Sequence, residues 1–160
     1  MILKEDSSEQ KLRGAYYTPL KLAKKMVDFF KDDLSIKSIL EPSCGDGVFV
    51  DALLESQFLS QHKRVTAIEI EKKEAEKLSE KLKDNSNIDV VNGDFFEFYH
   101  KHKDMDTYDL ILGNPPYIRY QYLEEKQRSE MAEILTSHGM KANKLINTWV
   151  GFMVCSYVER

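Results

Sequence analysis

The chain has 160 residues, 42% of them hydrophobic and 31% charged, with a net charge of −4. That length fits one ordinary domain with a sizeable core. The acidic balance excludes a uniformly basic surface of the kind that grips polyanions unaided. No apolar run approaches the ~20 residues of a membrane span, and the start MILKEDSSEQ lacks a secretory h-region. Cys44 and Cys155 show neither metal-ligand spacing nor a pairing pattern, so a reduced, cytoplasmic setting is expected. The scattered histidines suggest no metal site.

Residues 1–13 are polar and read as a flexible N-terminal segment, with 14–160 as the folded part. Thr18-Pro19 reads as a helix start, with a hydroxyl N-cap and proline in the first turn. Leu22, Ala23, Met26, Val27 and Phe30 continue at helical spacing, to an end near Asp32 or Asp33. Ser38–Glu41 reads as a strand closed by Pro42, and the turn Cys44–Gly47 leads into a helix through Phe49, Leu53 and Leu54. Arg64–Ile70 is rich in β-branched residues and reads as a second strand. A charged helix with the narrow apolar stripe Ala75, Leu78, Leu82 follows, its Lys and Glu residues forming a solvated face.

Ile88–Asn92 and Tyr108–Leu112 read as third and fourth strands, with a short helix or loop beginning at Phe95. A polar helix over about 123–136 and another from about 143 to the end complete the chain. The alternation implies an α/β fold, a mostly parallel sheet with helices on both faces. An unpartnered fourth strand would expose an apolar edge. The expectation is therefore a C-terminally truncated catalytic domain, with later strands and a target-recognition domain elsewhere.

The loops at the carboxyl ends of these strands carry the chemistry, because open α/β sheets bind ligands there. Glu41-Pro42-Ser43-Cys44-Gly45-Asp46-Gly47 is a glycine turn entering a helix, suited to close backbone approach or simply to a tight turn. Glu69 lies about 22 residues beyond Gly47, where an acidic side chain suits ribose hydroxyls; the alternative is a surface glutamate. Gly93-Asp94-Phe95-Phe96 offers an acceptor beside aromatic surface, or else a helix N-cap with core phenylalanines. Asn114-Pro115-Pro116-Tyr117 follows the apolar Leu110–Gly113. It offers an amide oxygen, proline carbonyls and an aromatic ring, a set suited to a planar base bearing an amino group, though Asn-Pro and Pro-Pro also punctuate ordinary turns.

Taken in order, these segments resemble the cofactor site of class I S-adenosylmethionine-dependent methyltransferases. More narrowly they resemble the DNA adenine-N6 enzymes of restriction–modification systems, whose first motif lies N-terminal to the glycine turn. Gly14–Pro19 is similar to that first motif, Glu41–Phe49 to the cofactor turn, Ile68–Ile70 to the ribose-binding strand end and Gly93–Phe95 to the adenine loop. Asn114–Tyr117 is similar to the catalytic motif, and Asn147–Phe152 to the start of the next one.

The resemblance implies a Rossmann-like methyltransferase fold and S-adenosylmethionine as cofactor. Tyr17, Thr18, Glu41, Ser43, Gly45 and Gly47 would then hold its methionine end and Glu69 its ribose. Asp94 and Phe95 would meet its adenine, with Ile70 and Phe152 on the two adenine faces. Asn114, Pro115, Pro116 and Tyr117 would be the catalytic set, acting on an adenine flipped out of double-stranded DNA. Restriction-system subunits or domains would be partners, and this segment alone would lack activity. The alternatives are a methyltransferase for a protein glutamine amide or an RNA base, and a non-catalytic interaction subunit. Cys44 reads as packing, and Trp149, Phe152, Met153 and Tyr157 as a core stripe with only Phe152 singled out by the motif. Tyr120 and Tyr122, near Arg119, could contact nucleic acid or simply line an exposed loop.

Overall fold

Four short apolar segments build one parallel sheet in the computed structural model, which describes residues 17–59, 62–103, 107–141 and 147–157. The segment 1–13, expected to be flexible, and Gly14 to Tyr16 of the first motif lie outside these residues. The chain divides into two compact units, Thr18–Asn114 and Pro115–Arg160 with the residues up to Tyr17.

The first unit runs α1 (Leu20–Asp28), β1 (Ser38–Glu41), α2 (Val48–Glu55), β2 (Arg64–Glu69), α3 (Lys72–Lys81), β3 (Ile88–Asn92), α4 (Phe95–His102) and β4 (Leu110–Ile111). The strand order is β3-β2-β1-β4, and every pairing is parallel. Ile39 stands opposite Val65 on one side and Leu110 on the other, so these three share a face. Ala23 and Val27 of α1 and Phe49, Ala52 and Leu53 of α2 bury that face. Further along it, Ala67 packs with Val50 of α2 and with Leu78 of α3 and Leu82 just beyond it. Leu40 and Ile68 point to the opposite face and are buried, as are Phe95, Phe96 and Tyr99 of α4. The Tyr108 hydroxyl donates to Thr66 Oγ1 there, at 3.4 Å. The sheet is thus covered on both faces, as parallel sheets require.

Asp109 fastens the amino ends of β1 and β4. Its Oδ2 accepts from the Lys37 and Ser38 amides at 2.8 and 2.9 Å and from Ser38 Oγ at 2.9 Å. These donors hold its carboxyl below the usual range, the Lys37 amide first among them.

Three expectations for this unit are corrected. Thr18 is not the helix cap: Pro19, with ψ of 134°, occupies that position, and its carbonyl accepts from Leu22 and Ala23. α1 ends at Asp28 rather than near Asp33, and Phe29 beyond it is exposed, which ends the buried stripe. β4 is two residues long by pairing, because its neighbour on one side is β1 and none is found on the other among the described residues.

The second unit holds a 3₁₀ turn (Tyr120–Tyr122), α5 (Glu125–Ser137) and α6 (Thr148–Tyr157). Met131 and Leu135 of α5 pack with Leu123, and with Ile118, Tyr120, Val150 and Val154 around them. The last helix begins at Thr148, just after Asn147 in its antiparallel bridge to Arg119, and 143–146 of the expected helix lie outside the described residues. Trp149 and Met153 are exposed at 38% and 56%, so the expected core stripe is corrected: Phe152 is buried and these two are not.

Candidate functional site

The sheet order reverses between β1 and β4, so the loops leaving these two strands part at a topological switch point. They also touch. A Cβ on Gly113, after β4, would lie 3.3 Å from Pro42 Cδ in the loop after β1. A side chain there would push Pro42 back by a few tenths of an ångström.

The loop after β1 is laced to the end of β2. The Cys44 amide donates to the Ile68 carbonyl and the Gly45 amide to Glu69 Oε2, both at 2.8 Å. Glu69 Oε1 accepts from its neighbour Glu71's amide at 2.7 Å. Both oxygens of this buried carboxylate are therefore aimed by backbone donors, and each retains a lone pair for a further donor. Gly45 and Gly47 have φ of 55° and 84°, which other residues adopt only under strain. Their surroundings differ. A Cβ on Gly47 would run into Leu78 Cδ1, whereas one on Gly45 meets nothing within 4 Å. Gly47 thus serves packing, and Gly45 faces open space.

Beneath this turn lies Glu41, only 1% exposed. Its Oε2 has no hydrogen-bond partner, nor has the buried Ser43 Oγ. Burial, then the carboxylates of Asp46, Asp51 and Glu69, push the Glu41 carboxyl well above its usual range; the Val50 amide opposes them. A buried carboxyl without a cationic partner stays neutral in this way. Burial likewise pushes the Cys44 thiol up, with the Glu69 carboxylate adding to it, which removes its nucleophilic form.

β3 continues the crescent. The Gly93 amide donates to the Glu69 carbonyl at 3.0 Å, and Asn92 Nδ2 to the Glu69 and Ile70 carbonyls at 2.9 and 3.2 Å. Asp94 caps α4, its Oδ1 accepting from the Phe96 and Glu97 amides at 2.8 and 3.3 Å. Ile70 is exposed at the end of β2, and Phe95 is buried. At the other end of the crescent Asn114, directly after β4, donates from Nδ2 to Thr18 Oγ1 at 3.3 Å. This unit therefore collects Thr18, Glu41, Ser43, Gly45, Gly47, Glu69, Asp94 and Asn114 at the carboxyl edge of one sheet.

In the second unit Thr148, 2% exposed, binds the backbone on both sides of Tyr117. Its Oγ1 donates to the Pro116 carbonyl and accepts from the Ile118 amide, and its own amide donates to the Ile118 carbonyl. Tyr117 is exposed, with its ring centroid 6.5 Å from that of Trp149. Tyr17 is exposed and Phe152 buried.

Residues 15–157 match the family described as Eco57I restriction-modification methylase. The chain belongs to that family. It is 32% identical to the type II methyltransferase M.HincII of Haemophilus influenzae over 154 residues, 96% of this chain and 27% of that protein. The chain spans about a quarter of the length of the curated relatives it matches. Among solved structures, the type I restriction-modification methyltransferase subunit from Streptococcus thermophilus superposes with a TM-score of 0.68 at 17% identity, over 90% of this chain and 31% of that one. An O-methyltransferase from Bacillus cereus, in complex with SAH, gives 0.52 at 17% identity over 69% of this chain and 50% of that one. The fold is accordingly that of Rossmann-like methyltransferases. Among the described residues no His, Cys, Asp and Glu side chains cluster as metal ligands, and no helix is long and apolar enough to cross a membrane.

Thr148 is the functional-site residue that reading the sequence missed. The signal lay in the motif Asn147–Phe152, but a threonine at a helix start reads as an ordinary cap. The link from Thr18 to Asn114 was equally hidden, since nothing local joins positions 96 apart.

Proposed function

We propose that the protein transfers a methyl group from S-adenosylmethionine to the exocyclic N6 of an adenine flipped out of DNA, as part of a restriction–modification system. The observation that carries this reading is Asn114: a carboxamide at the switch point, turned by Thr18 and followed in the chain by the Pro115 carbonyl and the Tyr117 ring.

The cofactor fits the residues present. Glu41 Oε2 and Ser43 Oγ are buried acceptors without partners, beside a turn whose Gly45 leaves space open, as a cationic methionine end requires. Glu69, held by two amides, suits the ribose diol. Asp94 and the exposed Ile70 suit the adenine amino group and one ring face, with Phe95 beside them and Phe152 assigned to the other face by its motif. Tyr17 and Thr18 complete the first motif. Bound S-adenosylmethionine supplies an electrophilic methyl on a positively charged sulfur.

Extruding the target base costs a few kcal/mol of unstacking. Tyr117 offsets part of this by stacking on it. Asn114 Oδ1 and the Pro115 carbonyl accept the two amino hydrogens; the Pro116 carbonyl already accepts from Thr148. These bonds draw the nitrogen lone pair out of conjugation with the ring and stabilise the positive charge that develops on nitrogen. Asn114 is neutral and takes no proton, so the surplus proton passes to water.

The test is methyl transfer from radiolabelled cofactor by the full-length protein. The label should appear in DNA as N6-methyladenine. Asn114→Ala should lower transfer by roughly 10²–10³-fold while leaving cofactor affinity unchanged, and Glu69→Ala should remove cofactor binding. Label in a glutamine peptide or in RNA, with none in DNA, would transfer the reading to that substrate. A folded protein that binds no cofactor would leave a scaffold.

A further inference from the structure

Tyr117, Arg119, Asn147 and Trp149 come from two segments of the second unit that meet at an antiparallel bridge. Arg119 and Asn147 stand opposite each other in the antiparallel bridge. Two residues back on one segment and two on along the other are Tyr117 and Trp149, whose rings approach at 6.5 Å. Thr148 is buried, and Ile118 packs against the Leu123, Met131 and Leu135 cluster. The outward side therefore carries two partly exposed aromatic rings and an exposed arginine, with an asparagine between them.

We propose that Trp149 and Arg119 form a contact for the DNA strand next to the target adenine, with Trp149 stacking on the neighbouring base and Arg119 meeting a phosphate. The inference rests on the reading of the protein as a DNA adenine methyltransferase, and adds residues to it. Three observations favour unstacked DNA as the occupant. The rings are tilted by 41° rather than parallel, which forms two adjacent platforms for successive bases instead of a slot for one. Arg119 supplies local positive charge in a chain of net charge −4. Tyr117 is the ring assigned to the target base, and Trp149 lies beside it. Trp149 otherwise leaves a large apolar ring partly in water, at a place where Thr148 holds the backbone rigid.

Trp149 is the sole tryptophan of the sequence, so its emission reports the contact directly. Titrating the protein with a short single-stranded oligonucleotide containing adenine should quench that emission. Trp149→Leu should weaken binding of the oligonucleotide about tenfold, Trp149→Phe should restore most of it, and Arg119→Gln should reduce the salt dependence by about one counterion. S-adenosylmethionine affinity should stay unchanged in all three variants. Oligonucleotide affinity that is indifferent to Trp149→Leu would overturn the inference, as would an equal loss of cofactor affinity, since either result would leave Trp149 as packing for Tyr117. Failure of the broader reading is distinct: DNA would then quench Trp149 yet acquire no N6-methyladenine.

Discussion

Thr18 Oγ1 accepts a hydrogen bond from Asn114 Nδ2 at 3.3 Å, across 96 positions of sequence. A carboxamide has one donating and one accepting end, so with Nδ2 turned to the threonine, Oδ1 faces away from it. Thr18→Val keeps the shape and removes the acceptor. It should lower the rate of methyl transfer about 10- to 100-fold, well beyond any loss of cofactor affinity, and Thr18→Ser should recover most of the rate. Single-turnover rates set beside calorimetric cofactor binding check this. A matching loss in both would show that Thr18 serves the cofactor rather than Asn114.

Gly45 and Gly47 share a backbone conformation and differ in what surrounds them. Alanine at either position costs about 1 kcal/mol or more in left-handed strain. At Gly47 the new methyl also displaces Leu78 from the core, adding roughly 1–3 kcal/mol of overpacking. Gly47→Ala should therefore lower the melting temperature clearly more than Gly45→Ala. Gly45→Ala should instead weaken cofactor binding out of proportion to its effect on stability. Thermal unfolding and calorimetry on the two variants separate these effects.

The fold was legible wherever neighbours in sequence decide it. The β-branched run Arg64–Glu69 and the stripe Ala75, Leu78 and Leu82 form the elements they suggest. Glycine turns after strands marked the sheet's carboxyl edge for the same reason. What failed depends on distant partners. The Thr18 hydroxyl looks like a helix cap until Asn114 is beside it. Trp149 and Met153 have the spacing of a buried stripe, and spacing alone does not say whether anything covers it. Glu69 was picked out as an acid at the right interval, but its hold on the Gly45 amide arises only when β1 and β2 lie side by side.

Glu41 makes the first unit sensitive to pH. Burial first, and then Asp46, Asp51 and Glu69, raise its folded pKa well above the ordinary carboxyl range. Below about pH 4 the carboxyl is protonated in folded and unfolded chains alike. As pH rises from there towards the folded value, the unfolded chain loses its proton first, so Glu41's contribution to stability declines. Glu41→Gln should abolish that decline, leaving the variant increasingly more stable than the parent towards neutral pH. A cationic methionine end would favour the carboxylate, so cofactor binding should release a proton from the parent protein and none from the variant. Calorimetry in buffers of different ionisation heat measures the release, and equal proton counts would separate Glu41 from the cofactor.

Thr148 holds the backbone around Tyr117 with one hydroxyl, donating to the Pro116 carbonyl and accepting from the Ile118 amide. Thr148→Val leaves both backbone groups without that partner at nearly constant volume. Each orphaned buried group costs about 1–3 kcal/mol. The segment can avoid that cost by moving towards water, which carries Tyr117 with it. The variant should therefore lose DNA binding and methyl transfer by more than it loses cofactor affinity, because of the residues assigned to the cofactor only Tyr17 and Phe152 share its unit. Hydrogen exchange at the Ile118 amide should accelerate, and Thr148→Ser should restore both exchange and activity. Unchanged exchange alongside lost activity would mean that Thr148 acts on something other than this loop.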